Sequence, residues 1–144
     1  MNSCSRSDNV SKYNAKKVEY KGITFDSKVE CEYYQLLEKQ QKAGMFDRIE
    51  VQPRYELIPK FDNQRKTEYI ADFALWKDGK LLEVIDVKGM PTPVAKLKAK
   101  LFRYKYPNVY LTWICKAPKY TGQEWISYEE LIKVRRERKK ELKK

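Results

Sequence analysis

Histidine is absent from the 144-residue chain. That absence excludes histidine general bases, Ser–His–Asp and Cys–His nucleophile systems, and every metal site with an imidazole ligand. Any hydrolytic chemistry would therefore have to use carboxylates, lysine and a hard metal ion that prefers oxygen ligands, such as Mg²⁺.

Long hydrophobic runs are missing too. No stretch approaches the ~20 consecutive apolar residues of a membrane-spanning helix, and the N-terminus lacks the apolar core of a signal peptide. We therefore expect a cytoplasmic protein. The composition, 42% hydrophobic and 13% aromatic, is rich enough to bury a core, so a disordered chain is not expected.

Cysteines are few and scattered, at Cys4, Cys31 and Cys115. An odd number without a C-x-x-C pair argues against a disulfide framework and against a zinc site. We expect free thiols.

The formal net charge is +11 and the isoelectric point is about 9.5, which favours a polyanionic partner. Its distribution is uneven, because residues 87–123 contain no acid. That stretch carries eight cations, namely Lys88, Lys96, Lys98, Lys100, Arg103, Lys105, Lys116 and Lys119. A second basic block occupies residues 133–144.

The patterning predicts an α/β domain. We interpret residues 1–17 as a flexible basic and polar arm and residues 18–144 as a single domain that ends in a basic C-terminal helix. A short hairpin or turn is expected around Lys21-Gly22. A first helix should run from Ser27, its cap, to about Ala43 before Gly44.

Four further segments predict strands, at 49–57 (interrupted by Pro53), 68–76, 81–87 and 109–113. Asp78-Gly79 should join the second and third as a β-hairpin. A helix from Pro93 to about Lys105, with Val94, Leu97, Leu101 and Tyr104 facing inward, could bring the last strand parallel to 81–87. Ser127 should cap the C-terminal helix. The order is roughly αβββαβα, a mixed β-sheet flanked by helices.

Three charged residues fall inside the apolar hairpin. Asp72 follows Ile70-Ala71, while Asp86 and Lys88 share one face of the returning strand, about 7 Å apart at ~3.3 Å per residue. A buried carboxylate is costly unless it is paired or binds a metal. Two acids and a lysine suit Mg²⁺-assisted phosphodiester hydrolysis, although a purely structural Asp–Lys pair is the simpler alternative.

The pattern resembles the PD-(D/E)XK nuclease superfamily. Asp72 corresponds to the first acid, Asp86 to the second and Lys88 to the lysine, with Ala71 in place of the usual proline. The segments VQPRYELIP, YIADF and VIDVKG also resemble phage endonuclease I-type Holliday-junction resolvases and small phage-borne proteins of unassigned function. The resemblance covers about residues 20–115.

The resemblance implies a restriction-endonuclease-like core and an Mg²⁺-dependent endonuclease, with Mn²⁺ able to substitute. Asp72, Asp86, the Val87 carbonyl and Glu30 would hold the metal, and Lys88 would position the attacking water. Glu30 could equally be part of a helix-capping box. Branched DNA in phage recombination or replication would be the substrate, in a phage-infected or prophage-carrying bacterial host. A homodimer would suit the two cuts that resolve a junction.

The helix after the hairpin predicts the surface for DNA. Lys96, Lys100 and Arg103 form one basic stripe, and Lys98 and Lys105 add to the charge. Phosphate contacts from such a surface would be independent of base sequence and sensitive to salt. The aromatic residues Tyr33, Tyr55, Tyr69 and Trp113 stand at positions that predict core packing.

Two other functions remain open. A nucleic-acid-binding module without catalysis would use the same basic surface, and a basic protein that docks on an acidic partner would explain the charge. Neither explains acids placed next to the proposed phosphate site, so the sequence favours the nuclease.

Overall fold

A computed structural model describes residues 5–10 and 16–143 of the chain. The fold divides into two compact units, residues 1–47 and 48–144. The sequence predicted a single domain over 18–144 and placed no boundary inside it.

The first unit combines a small antiparallel sheet with one helix. Its elements are β1 (Ser5–Val10), β2 (Lys16–Tyr20), β3 (Ile23–Phe25) and α1 (Lys28–Lys42). Lys21 and Gly22 make the β2–β3 turn, both with positive φ, so the predicted hairpin is confirmed. Ser27 caps α1 by accepting a hydrogen bond from the Glu30 N–H. Gly44 follows the helix at φ +83°.

The predicted N-terminal arm and the predicted free thiols are only partly described. Residues 5–10 form β1, paired with β2, where the sequence suggested an arm; residues 1–4 and 11–15 lie outside the described residues.

Cys115 is a buried free thiol, as expected. Cys31 is disulfide-bonded, so the expectation of a free thiol is wrong there. Cys4 lies outside the described residues.

The second unit is a mixed sheet with two helices. Its elements are β4 (Arg48–Val51), β5 (Arg54–Ile58), β6 (Thr67–Ile70), β7 (Phe73–Lys77), β8 (Lys80–Val87), α2 (Pro93–Lys105), β9 (Tyr110–Lys116), β10 (Trp125–Ser127) and α3 (Tyr128–Leu142). The sheet order is β10-β9-β8-β7-β4, and β5-β6 form a separate pair. β8 and β9 are parallel, as predicted, and the other pairs are antiparallel.

A hairpin turn and the start of a helix lie where the sequence predicted them. Asp78 and Gly79 connect Lys77 to its cross-strand partner Lys80, both with positive φ, as a type I′ hairpin turn requires. Thr92 caps α2 by accepting a hydrogen bond from the Ala95 N–H, and Pro93 occupies the first helical position. None of the described helices is long and apolar enough to span a membrane.

The predicted strand 68–76 is broken into β6 and β7. The antiparallel pair β4–β7 continues as the pair β5–β6, and this second pair lies outside the five-stranded sheet. Register is unchanged across the break, with Val51 opposite Phe73 and Arg54 opposite Ile70. Between these pairs, Gln52 adopts φ +53° and donates its N–H to the carbonyl of Asp72. Asp72 is therefore at a corner where the chain leaves one sheet for the other.

The predicted inward face of α2 is wrong for three of its four residues, and Leu101 alone of the four packs against the core, as predicted. Val94, Leu97 and Tyr104 are 62%, 57% and 88% exposed. The helix instead buries Ala99 and Phe102 against a core that contains Tyr69, Val84 and Trp113, with Ala95, Leu101 and Tyr106 at its edge. Small Ala99 lets the helix approach the sheet, and Phe102 packs at 5.4 Å from the Tyr69 ring. Both faces of α2 carry apolar residues at helical spacing, so the sheet surface decided which face is buried.

Candidate active site

The corner between β6 and β7 directs Asp72 at the end of β8. Its carboxylate oxygen Oδ2 accepts a hydrogen bond from the Val87 N–H at 2.7 Å, and its own N–H donates to the Ile85 carbonyl at 3.2 Å. Val87 stands between Asp86 and Lys88. The structure therefore brings the three predicted residues of the second unit to one end of the β7–β8 hairpin.

Asp86 is the one charged residue that is fully buried among the described residues, with 3% of its surface exposed. Its oxygen Oδ2 accepts a hydrogen bond from the Tyr69 hydroxyl at 2.6 Å. Tyr69 in turn accepts one from the Trp113 indole N–H at 2.9 Å. This series of hydrogen bonds from Trp113 through Tyr69 fixes the position of the Asp86 carboxylate, since a buried acid needs such donors.

Lys88 provides the opposite charge. Its Nζ lies 3.4 Å from Asp86 Oδ2, and its side chain is 29% exposed. The backbone N–H of Lys88 donates to the Ile114 carbonyl at 2.8 Å, which continues the parallel ladder to β9. The lysine is thus fixed at its backbone, while its side chain reaches from the buried acid toward solvent.

Burial, followed by the charge and the hydrogen bond of Asp86, raises the pKa of Tyr69 far above its usual range. Burial also raises the pKa of Tyr55 to about 12. A tyrosine with a raised pKa in the folded state stabilises the fold below the unfolded pKa of ~10 and loses that contribution as pH rises further.

We predict that the free energy of unfolding falls above pH ~10. Tyr69→Phe should remove up to one proton from this dependence, about 1.4 kcal/mol per pH unit. Urea unfolding followed by circular dichroism between pH 8 and 11.5 measures it. Tyr104→Phe, at a tyrosine that is 88% exposed, is the control. If the free energy of unfolding fell with pH equally steeply in wild type and Tyr69→Phe, the result would contradict the buried hydrogen bonds of Tyr69.

The oxygen atoms at this corner suit a hard divalent cation. Asp72 and Asp86 supply carboxylates. The Val87 carbonyl points to the same side of β8 as its N–H, toward Asp72, because both polar groups of a strand residue face one neighbour. Both short contacts of Asp86 are made by Oδ2, and Oδ1 takes part in neither. In the described part of the chain, no group of three or more His, Cys, Asp or Glu side chains converges. Mg²⁺ fits such a place, since it is held by one or two carboxylates plus substrate phosphates.

Glu30 belongs to the first unit, in the first turn of α1, whereas Asp72, Asp86 and Lys88 belong to the second. Its backbone N–H serves the Ser27 cap. A metal-binding role for Glu30 stays a prediction.

The predicted basic residues all lie on α2 but differ in their surroundings. Arg103 donates to the Leu111 carbonyl at 3.3 Å and lies over the Trp113 ring. Lys105 is 3.7 Å from Glu56. Within residues 16–143, Lys96, Lys98, Lys100 and Arg103 form no ion pair, so these cations of α2 are available to a polyanion.

Sequence reasoning assigned Tyr69 and Trp113 to core packing and missed their hydrogen bonds. Both are buried, as predicted, at 3% and 8% exposure. A tyrosine and a tryptophan in the core need partners for their polar atoms, and this need is the signal that could have pointed to Asp86. The partners are 17 and 44 residues apart, so local patterns do not identify them.

Comparison with known proteins yields one family. No curated protein and no solved structure matches the chain. The model of DUF1064, described as a protein of unknown function, matches residues 10–122, which include α1, the β7–β8 hairpin and α2. The chain therefore belongs to the DUF1064 family.

Proposed function

We propose that this protein is an Mg²⁺-dependent DNA endonuclease of the PD-(D/E)XK type, acting on branched DNA. The observation that supports this proposal is the hydrogen bond from the Val87 N–H to Asp72, which joins the first acid to the strand segment that carries Asp86 and Lys88. The mixed sheet with β8 at its centre is compatible with a restriction-endonuclease-like core.

Asp72, Asp86 and the Val87 carbonyl would hold the metal. When bound, Mg²⁺ would polarise the scissile phosphate and lower the pKa of water. The hydrogen bonds from Trp113 to Tyr69 and from Tyr69 to Asp86 keep the second carboxylate in place. Preorganised groups of this kind avoid reorganisation during the reaction.

Lys88 would serve the attacking water and the developing negative charge. Its Nζ contacts the buried Asp86, while 29% of its side chain remains exposed to substrate. A lysine close to the reacting phosphate can orient water and stabilise charge that grows in the transition state. The products expected from the resemblance are 5′-phosphate and 3′-hydroxyl ends.

The DNA backbone would approach along α2, which follows Lys88 directly in the chain. Lys96 and Lys100 lie one turn apart on the same helix face and are both exposed. Contacts between lysine and phosphate position a duplex without reading its sequence, which suits an enzyme that selects DNA by shape.

The direct test incubates the protein with linear, nicked, flapped and four-way DNA, with Mg²⁺ or with chelator. We expect Mg²⁺-dependent cleavage that is strongest on a branched substrate. Binding without cleavage on every substrate would reject the nuclease and support a non-catalytic nucleic-acid-binding module. Cleavage that persists in chelator would reject the metal mechanism.

We predict that the double change Lys96→Ser and Lys100→Ser weakens duplex binding at low salt. It should also flatten the dependence of log K on log salt by about 1.8, since each phosphate contact contributes ~0.9. The measurement is DNA affinity from 50 to 300 mM salt. The change should preserve folding, because α2 packs through Ala99 and Phe102.

The matched control for this test is Lys77→Ser with Lys80→Ser, which removes the same charge. These lysines flank the turn at the opposite end of the hairpin, about 20 Å from Asp86 at ~3.3 Å per residue. The control should retain the wild-type slope. Equal slopes for all three proteins would place DNA elsewhere, for example along the basic part of α3.

A further inference from the structure

A second feature of the unit 48–144 is a cavity of about 450 Å³ between α2, β9 and α3. Its size falls within the ~300–1,000 Å³ typical of small-ligand sites. Aromatic, cationic and acidic side chains line it together, including Trp113, Tyr128, Lys96, Arg103 and Glu129. The carboxylates of the candidate active site do not line this cavity. Trp113 does, and its indole N–H donates to the hydroxyl of Tyr69, which in turn donates to Asp86.

Two aromatic rings form one wall of the cavity. Trp113 and Tyr128 pack edge to face, with centroids 5.7 Å apart and an angle of 65° between the rings. The Arg103 guanidinium lies 6.0 Å from the centre of the Trp113 ring and is anchored by its bond to the Leu111 carbonyl. Such a wall suits a flat ring, because nucleotide bases pack on aromatic side chains and on arginine.

Two cations line the same cavity. Lys96 is exposed and forms no ion pair within residues 16–143. Arg103 uses one terminal nitrogen for the Leu111 carbonyl, and a guanidinium has five N–H donors in total. The two side chains can therefore hold a phosphate. Glu129 can accept hydrogen bonds from ring N–H groups, such as those of guanine.

We propose that this cavity binds a nucleotide, with its base against Trp113 and Tyr128 and its phosphate at Lys96 and Arg103. An inorganic anion alone would leave the aromatic wall uncovered, and an apolar ligand would leave the two cations without a partner. If the protein cleaves DNA as proposed above, the occupant is an unpaired nucleotide of the substrate. This last step rests on the proposed function; nucleotide binding itself does not.

Calorimetry with the full chain in chelator tests binding separately from cleavage. We expect dGMP to bind, with deoxyguanosine and inorganic phosphate each at least ~10-fold weaker, because deoxyguanosine lacks the charged hydrogen bonds to Lys96 and Arg103 and phosphate lacks the contacts of the base. Lys96→Ser should weaken dGMP binding about tenfold by the same reasoning. Lys80→Ser and Asp78→Asn, both at the far hairpin turn, should bind dGMP as wild type does.

Three results would overturn the proposal: no dGMP binding at millimolar concentration, binding of phosphate as tight as that of dGMP, or unchanged binding by Lys96→Ser. An unpaired oligonucleotide should compete with dGMP better than a fully paired duplex, and equal competition would reject the DNA assignment. Nucleotide binding without cleavage of any DNA would reject the nuclease and keep the cavity. Cleavage of DNA without nucleotide binding would reject the cavity as a nucleotide site and keep the nuclease.

Discussion

Asp86→Asn will lose Mg²⁺-dependent cleavage of branched DNA by at least ~10²-fold, a typical effect of losing one source of transition-state charge stabilisation, here the metal that Asp86 would hold. The reason lies in the position of Asp86, a buried carboxylate beside Asp72 on the hairpin corner. Asparagine is nearly the same size and can still accept the hydrogen bond from Tyr69. The fold should therefore survive, and DNA affinity should stay within about twofold.

The same variant gives a readout that does not depend on cleavage. A ligand that binds only the folded state raises stability, by ~2.7 kcal/mol when its concentration is 100 times Kd. Mg²⁺ should therefore raise the Tm of wild type and leave that of Asp86→Asn unchanged. Asp72→Asn should behave alike, with its amide oxygen accepting the Val87 N–H.

Asp78→Asn is the matched control, because it removes one negative charge from the same hairpin at its far turn. Asp78 adopts φ +51°, a conformation that asparagine tolerates well. This variant should cleave and respond to Mg²⁺ as wild type does. Equal Mg²⁺ responses of wild type and Asp86→Asn would contradict the metal site, and so would full cleavage by Asp86→Asn.

Lys88→Ala is expected to retain DNA binding and to lose about 10²–10⁴-fold in cleavage, the usual contribution of a positioned acid or base. One cation among 31 lysines and arginines contributes little to affinity. Its loss near the reacting phosphate removes the group that orients water. Single-turnover cleavage at saturating protein, alongside DNA affinity, separates the two effects.

Lys80→Ala is the control for Lys88→Ala, since it removes an equal charge from the far end of the same strand, β8. It should leave both DNA binding and single-turnover cleavage near the wild-type level. Wild-type cleavage by Lys88→Ala would remove lysine from the mechanism. A loss of folding by circular dichroism would instead show that Lys88 mainly compensates the buried Asp86 charge, and Lys88→Arg would then be used to restore it.

Local signals in the sequence were sufficient to predict where the helices begin and where the β7–β8 hairpin turns. Ser27, Thr92 and Ser127 each accept a hydrogen bond from the N–H three residues ahead, and α1, α2 and α3 begin there. Asp78 and Gly79 make the turn between β7 and β8. These features depend only on neighbouring residues, which is why the sequence alone determined them, along with the common face of Asp86 and Lys88.

Only the tertiary structure decided how these elements meet. The sheet surface selected Ala99 and Phe102 as the buried residues of α2, although Leu97 and Tyr104 also share one face of the helix. The bend at Gln52 and Asp72 arises from pairing between distant strands, and it turns Asp72 toward Val87. The bond between Trp113 and Tyr69 spans 44 residues. Such contacts follow from where strands lie in the sheet, and no local pattern of residues encodes that position.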